Sequence, residues 1–123
     1  MIYEKFVNLL ARGKVKPDTD AMKAYLVKGY DPDPKHSLTM VETASVGYPV
    51  DVGSKSWEDA TLHVSGINFA GQDIETKDAD GVVFVVAGVP ACHCELHAVE
   101  EQEDAKYFIR ELSFPTGILE VTR

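Results

Sequence analysis

Apolar residues first recur at helical spacing. Ile2, Phe6, Leu9 and Leu10 fall on one stripe, and Tyr3 and Val7 widen it. Gly13 is a natural C-terminal stop, and Arg12 and Lys14 sit where the helix dipole favours cations. The spacing predicts one amphipathic helix of about three turns within residues 1–13. Such a helix must lie on something apolar. Pro17-Asp18-Thr19-Asp20 reads as a turn. From Ala21 to Val27 the period changes: Met22, Ala24 and Leu26 alternate with Lys23 and Tyr25, which predicts a strand.

Residues 28–41 read as an exposed loop. Pro32 and Pro34 remove backbone donors and fix φ, so Gly29 to Pro34 suits no regular element. His36 to Val41 has room for a short helical turn. Beyond it the pattern is β. The expected strands are Ala44–Asp51, Ser56–His63, Gly66–Phe69, Val82–Val86, Ala91–Val99, Lys106–Leu112 and Ile118–Val121. The breakers between them are Gly53, Gly71, Gly81, Gly88-Val89-Pro90, the acidic run Glu100 to Asp104, and Pro115-Thr116-Gly117. Short strands at such intervals predict a sandwich or barrel. Val82 to Val86 is apolar on both faces and reads as a central strand covered on both sides.

A chain of 123 residues and 13.5 kDa suits one domain, residues 1–123. It is long enough to bury a core without disulfides or metal. No apolar run approaches the length of a membrane helix, so no membrane partner is expected. Glu4 stands where a signal peptide needs positive charge, so export by that route is not expected. The net charge of −8 repels phosphate backbones, which argues against nucleic acid as a partner. That charge is unevenly placed. Residues 1–40 carry seven bases and five acids, and residues 41–123 carry five bases and fifteen acids. The only cysteines, Cys92 and Cys94, are two residues apart and do not form a secreted disulfide framework. They read as reduced thiols of a protein made in a cytoplasm.

The candidate chemistry is thin. On a strand, Cys92, Cys94, Leu96 and Ala98 share one face, and His93, Glu95, His97 and Val99 share the other. The first face is apolar, where free cysteine acts as a small hydrophobe. His93, Glu95 and His97 are a weak metal candidate, because no second ligand pair stands at metal-finger spacing. Asp78-x-Asp80-Gly81 has the look of a calcium loop, but its twelfth position would be Ala87 rather than a bidentate glutamate. A solvated acidic turn is the simpler reading. No nucleophile elbow and no phosphate-cradling glycine loop is present. Trp57 reads as a core or interface anchor. No cofactor and no catalytic residue is expected. A small β domain of this kind binds something or builds something.

The order of segments resembles a family of small structural proteins of tailed bacteriophages. Its helix looks like Ile2-Tyr3-Glu4-Lys5-Phe6 through Leu9-Leu10-Ala11-Arg12-Gly13, followed by a Pro17-Asp18-Thr19-Asp20 turn and a strand like Ala21 to Val27. A proline-containing loop matches Tyr30-Asp31-Pro32-Asp33-Pro34-Lys35-His36, and a Gly47-Tyr48-Pro49 segment follows. Asp78-Ala79-Asp80-Gly81-Val82-Val83-Phe84 leads into the central strand, and Phe114-Pro115-Thr116-Gly117-Ile118-Leu119-Glu120-Val121 closes the chain. The match spans nearly the whole chain. It departs at Ala91-Cys92-His93-Cys94, where the family is aromatic-rich, and at Glu100 to Asp104, which the family lacks.

The resemblance implies a capsid decoration (cement) protein with a jelly-roll-like antiparallel β-sandwich and one N-terminal helix. Its expected partners are the major capsid protein and itself, as a homodimer or homotrimer. Its expected location is the capsid surface of a virion assembled in a host bacterial cytoplasm. The contact residues expected on that basis are Tyr3, Arg12, Lys14, Lys16, Tyr30, Asp31, Pro32 and Lys35. The alternatives are a tail, fibre-base or head-completion protein, or, in another class, a metal- or ligand-binding β-domain using His93, Glu95 and His97.

Overall fold

A strand that is apolar on both faces needs cover on both, and the architecture is arranged around one such strand. A computed structural model of the chain describes residues 3–30, 37–72, 74–75, 78–96, 109, 111–112, 114 and 117–120. The elements run α1 (Glu4–Ala11), β1 (Met22–Val27), α2 (Leu38–Ala44), β2 (Val50–Asp51), β3 (Ser54–Glu58), β4 (Thr61–Ser65), β5 (Ile67–Asn68), β6 (Gly81–Val86), β7 (Val89–Glu95), β8 (Glu111–Leu112) and β9 (Leu119–Glu120). Among the described residues the protein is mainly antiparallel β with two helices. The strands pair as β2-β1-β6-β7, β3-β4-β9 and β5-β8.

All six residues of β6 are buried. It pairs with β1 from Met22↔Val86 to Val27↔Gly81 and with β7 on its other side. Phe84 and Leu26 are fully buried there, and burying such a side chain stabilises by about 1.5–3 kcal/mol. One apolar cluster takes in these strands together with Phe6 of α1, Val41 of α2, Leu62 of β4, Ile67 of β5 and Phe69. Phe6 is fully buried, as the helical stripe requires, whereas Val7 is 44% exposed and does not widen that stripe.

The β6–β7 turn consists of Ala87 (φ 49°) and Gly88 (φ 79°), a left-handed pair that matches strand twist. The expected break at Gly88-Val89-Pro90 therefore lies too late: Val89 and Pro90 already belong to β7. Pro90 is tolerated because β7 is an edge strand among the described residues. The register slips between Phe84 and Val85, and Ala91 is the extra residue of the bulge. Its carbonyl accepts the Tyr3 N–H at 3.0 Å, which ties the start of α1 to the sheet.

Three further expectations need correction. Ser56–His63 is not one strand but the β3–β4 hairpin, reversed at Asp59 (φ 49°) and Ala60 (φ 64°). No glycine marks that turn. Residues 28–41 are not simply an exposed loop. Tyr30 is only 8% exposed, and the hinted turn is a seven-residue helix, α2, anchored by the fully buried Val41; residues 31–36 lie outside the described residues. Ala44–Asp51 is not a continuous strand. Ser45 bridges Val27, Val50 and Asp51 pair with Ala24 and Lys23, and the chain leaves β1 between them. The expected segments 97–99 and 106–108 also fall outside the described residues.

At the open end of the β3–β4 hairpin, Gly53 and Gly66 stack backbone on backbone. A Cβ on Gly66 would lie 3.0 Å from the Gly53 Cα, and Gly66 has φ +72°. These contacts set opposite signs for two substitutions. Ala60→Gly relieves a left-handed alanine and is expected to raise stability by about 0.5–1 kcal/mol. Gly66→Ala adds strain and a backbone clash and is expected to cost about 2 kcal/mol or more. Urea unfolding of both variants checks this, and equal or reversed signs would show that the turn geometry is wrong.

Candidate interaction surface

The basic segment is held in a fixed form. α1 ends in a Schellman cap: the Gly13 N–H donates to the Leu10 carbonyl at 3.1 Å and the Lys14 N–H to the Leu9 carbonyl at 2.9 Å, with Gly13 at φ +69°. Val15 and Pro17 then point into the protein, which turns Lys14 and Lys16 outward beside the exposed Arg12. The following turn closes on itself. The Asp20 carboxylate accepts the Lys16 N–H at 2.8 Å, and the Thr19 and Asp20 N–H groups both donate to the Lys16 carbonyl. The Lys55 ammonium on β3 donates to the Asp20 carbonyl and pins the turn to the hairpin. Arg12, Lys14 and Lys16 are thus exposed cations on an ordered backbone.

The two tyrosines expected beside them are elsewhere. Tyr3 is 1% exposed and Tyr30 8% exposed, so both rings belong to the packing and neither is a surface contact in this structure. Tyr3 sits where the chain enters α1 against β7. The Tyr30 ring lies 5.8 Å from the His93 imidazole. Asp31, Pro32 and Lys35 lie outside the described residues.

Sequence reading missed a different tyrosine. Where the chain leaves β1, the backbone of Tyr48 is gripped by the Gln72 side chain. The Tyr48 N–H donates to Gln72 Oε1 at 2.8 Å, and the Gln72 amide donates to the Tyr48 carbonyl at 3.1 Å. Gly47 is required at φ +70°, since a Cβ there would sit 2.6 Å from Gln72 Oε1 and from Ile74 Cδ1. The result is an aromatic ring 78% exposed on a clamped turn. Its only sequence signal was the Gly47-Tyr48-Pro49 triplet inside a stretch that reads as strand.

The acidic turn and the histidine face have structural work. The Asp80 carboxylate accepts the Gly29 N–H at 3.0 Å, its N–H donates to the Val27 carbonyl at 2.9 Å, and its carbonyl accepts the Leu96 N–H at 3.0 Å. Asp80 therefore joins the ends of β1, β6 and β7. The His93 ring lies over Gly81, where any Cβ would overlap its Nε2. Glu95 on the same face is exposed, and His97 lies outside the described residues. Among the described residues no group of three or more His, Cys, Asp or Glu is placed to hold a metal ion. Cys92 and Cys94 are free thiols, Cys92 fully buried. A hydrogen bond to Cys94, together with burial, raises the Cys92 thiol well above its ordinary range, so it stays protonated.

An open cleft of about 450 Å³ lies between the end of β1 and α2, lined by Lys28, Tyr30, Thr39, Met40 and Thr43 among others. The Thr43 hydroxyl donates to the Thr39 carbonyl at 2.8 Å. Among the described residues that line the cleft, none carries a carboxylate, imidazole or thiol. Among the described residues no helix is long and apolar enough to cross a membrane. Comparison with protein-family models, with curated proteins and with solved structures found no match to this chain.

Burial lowers the pKa of His93, against the opposing pull of Glu95 and Asp80. The folded state therefore favours the neutral ring. Its contribution to stability is complete above the unfolded value of about 6.5 and is lost as pH falls below it. The melting temperature is expected to drop between pH 7 and pH 5, and His93→Gln is expected to flatten that drop. Parallel thermal melts across the range check it. An identical slope in both proteins would remove His93 as the cause.

Proposed function

We propose that this chain is a structural virion protein of a tailed bacteriophage, most simply a capsid decoration protein that binds the coat shell and stabilises it. The observation that carries this reading is the order of segments along the chain, which resembles that phage family from Ile2 to Val121. The proposed architecture is a jelly-roll-like sandwich, with the two larger sheets as its layers. The site chemistry is compatible. Arg12, Lys14 and Lys16 stand exposed on a capped and pinned segment of a chain that is otherwise acidic. Shell reinforcement takes no turnover and no cofactor. It takes a rigid domain and one modest contact repeated over many copies, so that weak affinities add.

The basic segment is assigned to the coat protein and the acidic turns to solvent. Opposite charges at such a rim steer encounter more than they hold the complex, so binding is expected to weaken with salt.

Two measurements test the reading. Purified particles are expected to contain the chain in hundreds of copies; a ring of about six or twelve would place it at the tail or connector instead, and particles without it would end the proposal. Reversing both Lys14 and Lys16 to glutamate is expected to weaken shell binding roughly tenfold, from about 0.7 kcal/mol per exposed charge contact. Unchanged occupancy would free that segment of the role.

A further inference from the structure

Among the described residues, β3 is the end strand of its sheet, and nothing pairs with its outer edge. The two-residue turn at Asp59 and Ala60 makes Glu58↔Thr61 the first hydrogen-bonded pair of the hairpin. Bonded and non-bonded pairs then alternate, so Ser56↔His63 and Ser54↔Ser65 are bonded, and Lys55↔Val64 and Trp57↔Leu62 are not. The N–H and C=O groups of Lys55 and Trp57 therefore point off the sheet. The side chains alternate too. Ser54, Ser56 and Glu58 are exposed on one face, and Lys55 and Trp57 are half-buried on the other. An edge with free donors and acceptors is a template for another strand.

We propose that β3 pairs with β3 of a second copy of this chain, antiparallel about a two-fold axis through Ser56. Ser54-Lys55-Ser56-Trp57-Glu58 complements its own reverse. In this register Ser54 faces the copy's Glu58, Ser56 faces the copy's Ser56, and Lys55 faces the copy's Trp57. The outward backbone groups fall opposite one another at both Lys55–Trp57 pairs, which closes four hydrogen bonds. The Lys55 stem, its ammonium already bonded to the Asp20 carbonyl, lies along the copy's indole. The Ser54 hydroxyl donates to the copy's Glu58 carboxylate, and the paired serines bond across the axis.

Neighbouring registers are worse. One sets Lys55 against the copy's Lys55. Another sets the left-handed turn residue Asp59 against the copy's Lys55, where no ladder forms. The strand carries one base and one acid, so pairing adds no local repulsion, while the chain's net charge of −8 is screened by salt. The interface needs no phage shell; the resemblance implies self-association as a dimer or trimer, and the β3 edge adds to it a surface and a register.

Sedimentation of the full chain is expected to show a reversible dimer, twice the 13.5 kDa chain mass. The emission of Trp57, the sole tryptophan, is expected to shift to shorter wavelength as the dimer forms. Ser56→Lys places two like charges face to face at the axis on the solvent side, and is expected to weaken the dimer at least tenfold with the melting temperature of the monomer unchanged. Ser56→Cys is expected to cross-link under mild oxidation, since facing residues of a non-bonded pair lie about 4.5 Å apart at Cα, within disulfide reach. The wild type and Ser65→Cys are the controls and are expected not to cross-link. A chain that stays monomeric at high concentration, a trimer, or a dimer that Ser56→Lys leaves intact and Ser56→Cys does not trap would each overturn the pairing. A monomer that still binds coat shells would overturn the pairing alone; a trapped dimer that ignores shells would overturn the shell reading alone.

Discussion

The structure depends on hiding β6. Six successive buried residues, five of them Val or Phe, leave no face for water. Such a strand has to be central, so β1 and β7 must flank it along their lengths. Its partners then inherit obligations. β7 begins straight after a two-residue turn, carries a bulge at Ala91, and through that bulge takes the Tyr3 N–H. The first helix is thereby fixed by a backbone bond as well as by Phe6. Asp80, at the start of β6, holds the far ends of β1 and β7 together. An acid that looks available for a cation in the sequence is in use as a clasp.

That constraint explains which parts of the fold could be read in advance. β1, β6 and α1 carry their periods in their own residues, so local sequence was enough. The β3–β4 hairpin was hidden because its turn uses Asp59 and Ala60, neither of which carries the glycine signal such turns favour. α2 was hidden because it is one short helix after a proline-rich stretch, and a single buried residue, Val41, holds it down. Tertiary contact made that helix, not propensity.

The surface was half legible for a related reason. Exposed cations declare themselves, and Lys14 and Lys16 stand where the alternation with Val15 and Pro17 puts them. Aromatic residues do not declare which way they face. Tyr3 and Tyr30 turn inward, while Tyr48 turns outward only because Gln72, 24 residues away, replaces β1 as the partner of its backbone. The same reasoning separates edge from centre. Among the described residues β6 has both neighbours and nothing to offer, whereas β3 has one neighbour and a free row of backbone groups. On this account contact with other molecules belongs to the margins of the sheets and the ordered basic segment, and the middle strand serves only to hold them still.

Native-state amide hydrogen exchange is the most direct test of that central claim. The amides from Val82 to Val86 are expected to exchange only through global unfolding, with the full unfolding free energy, while amides around α2 and the Tyr48 turn open locally and exchange at least about a hundredfold faster. Protection of β6 no greater than that of α2 would mean that the buried strand is not the structure's organising element, and the account would fail.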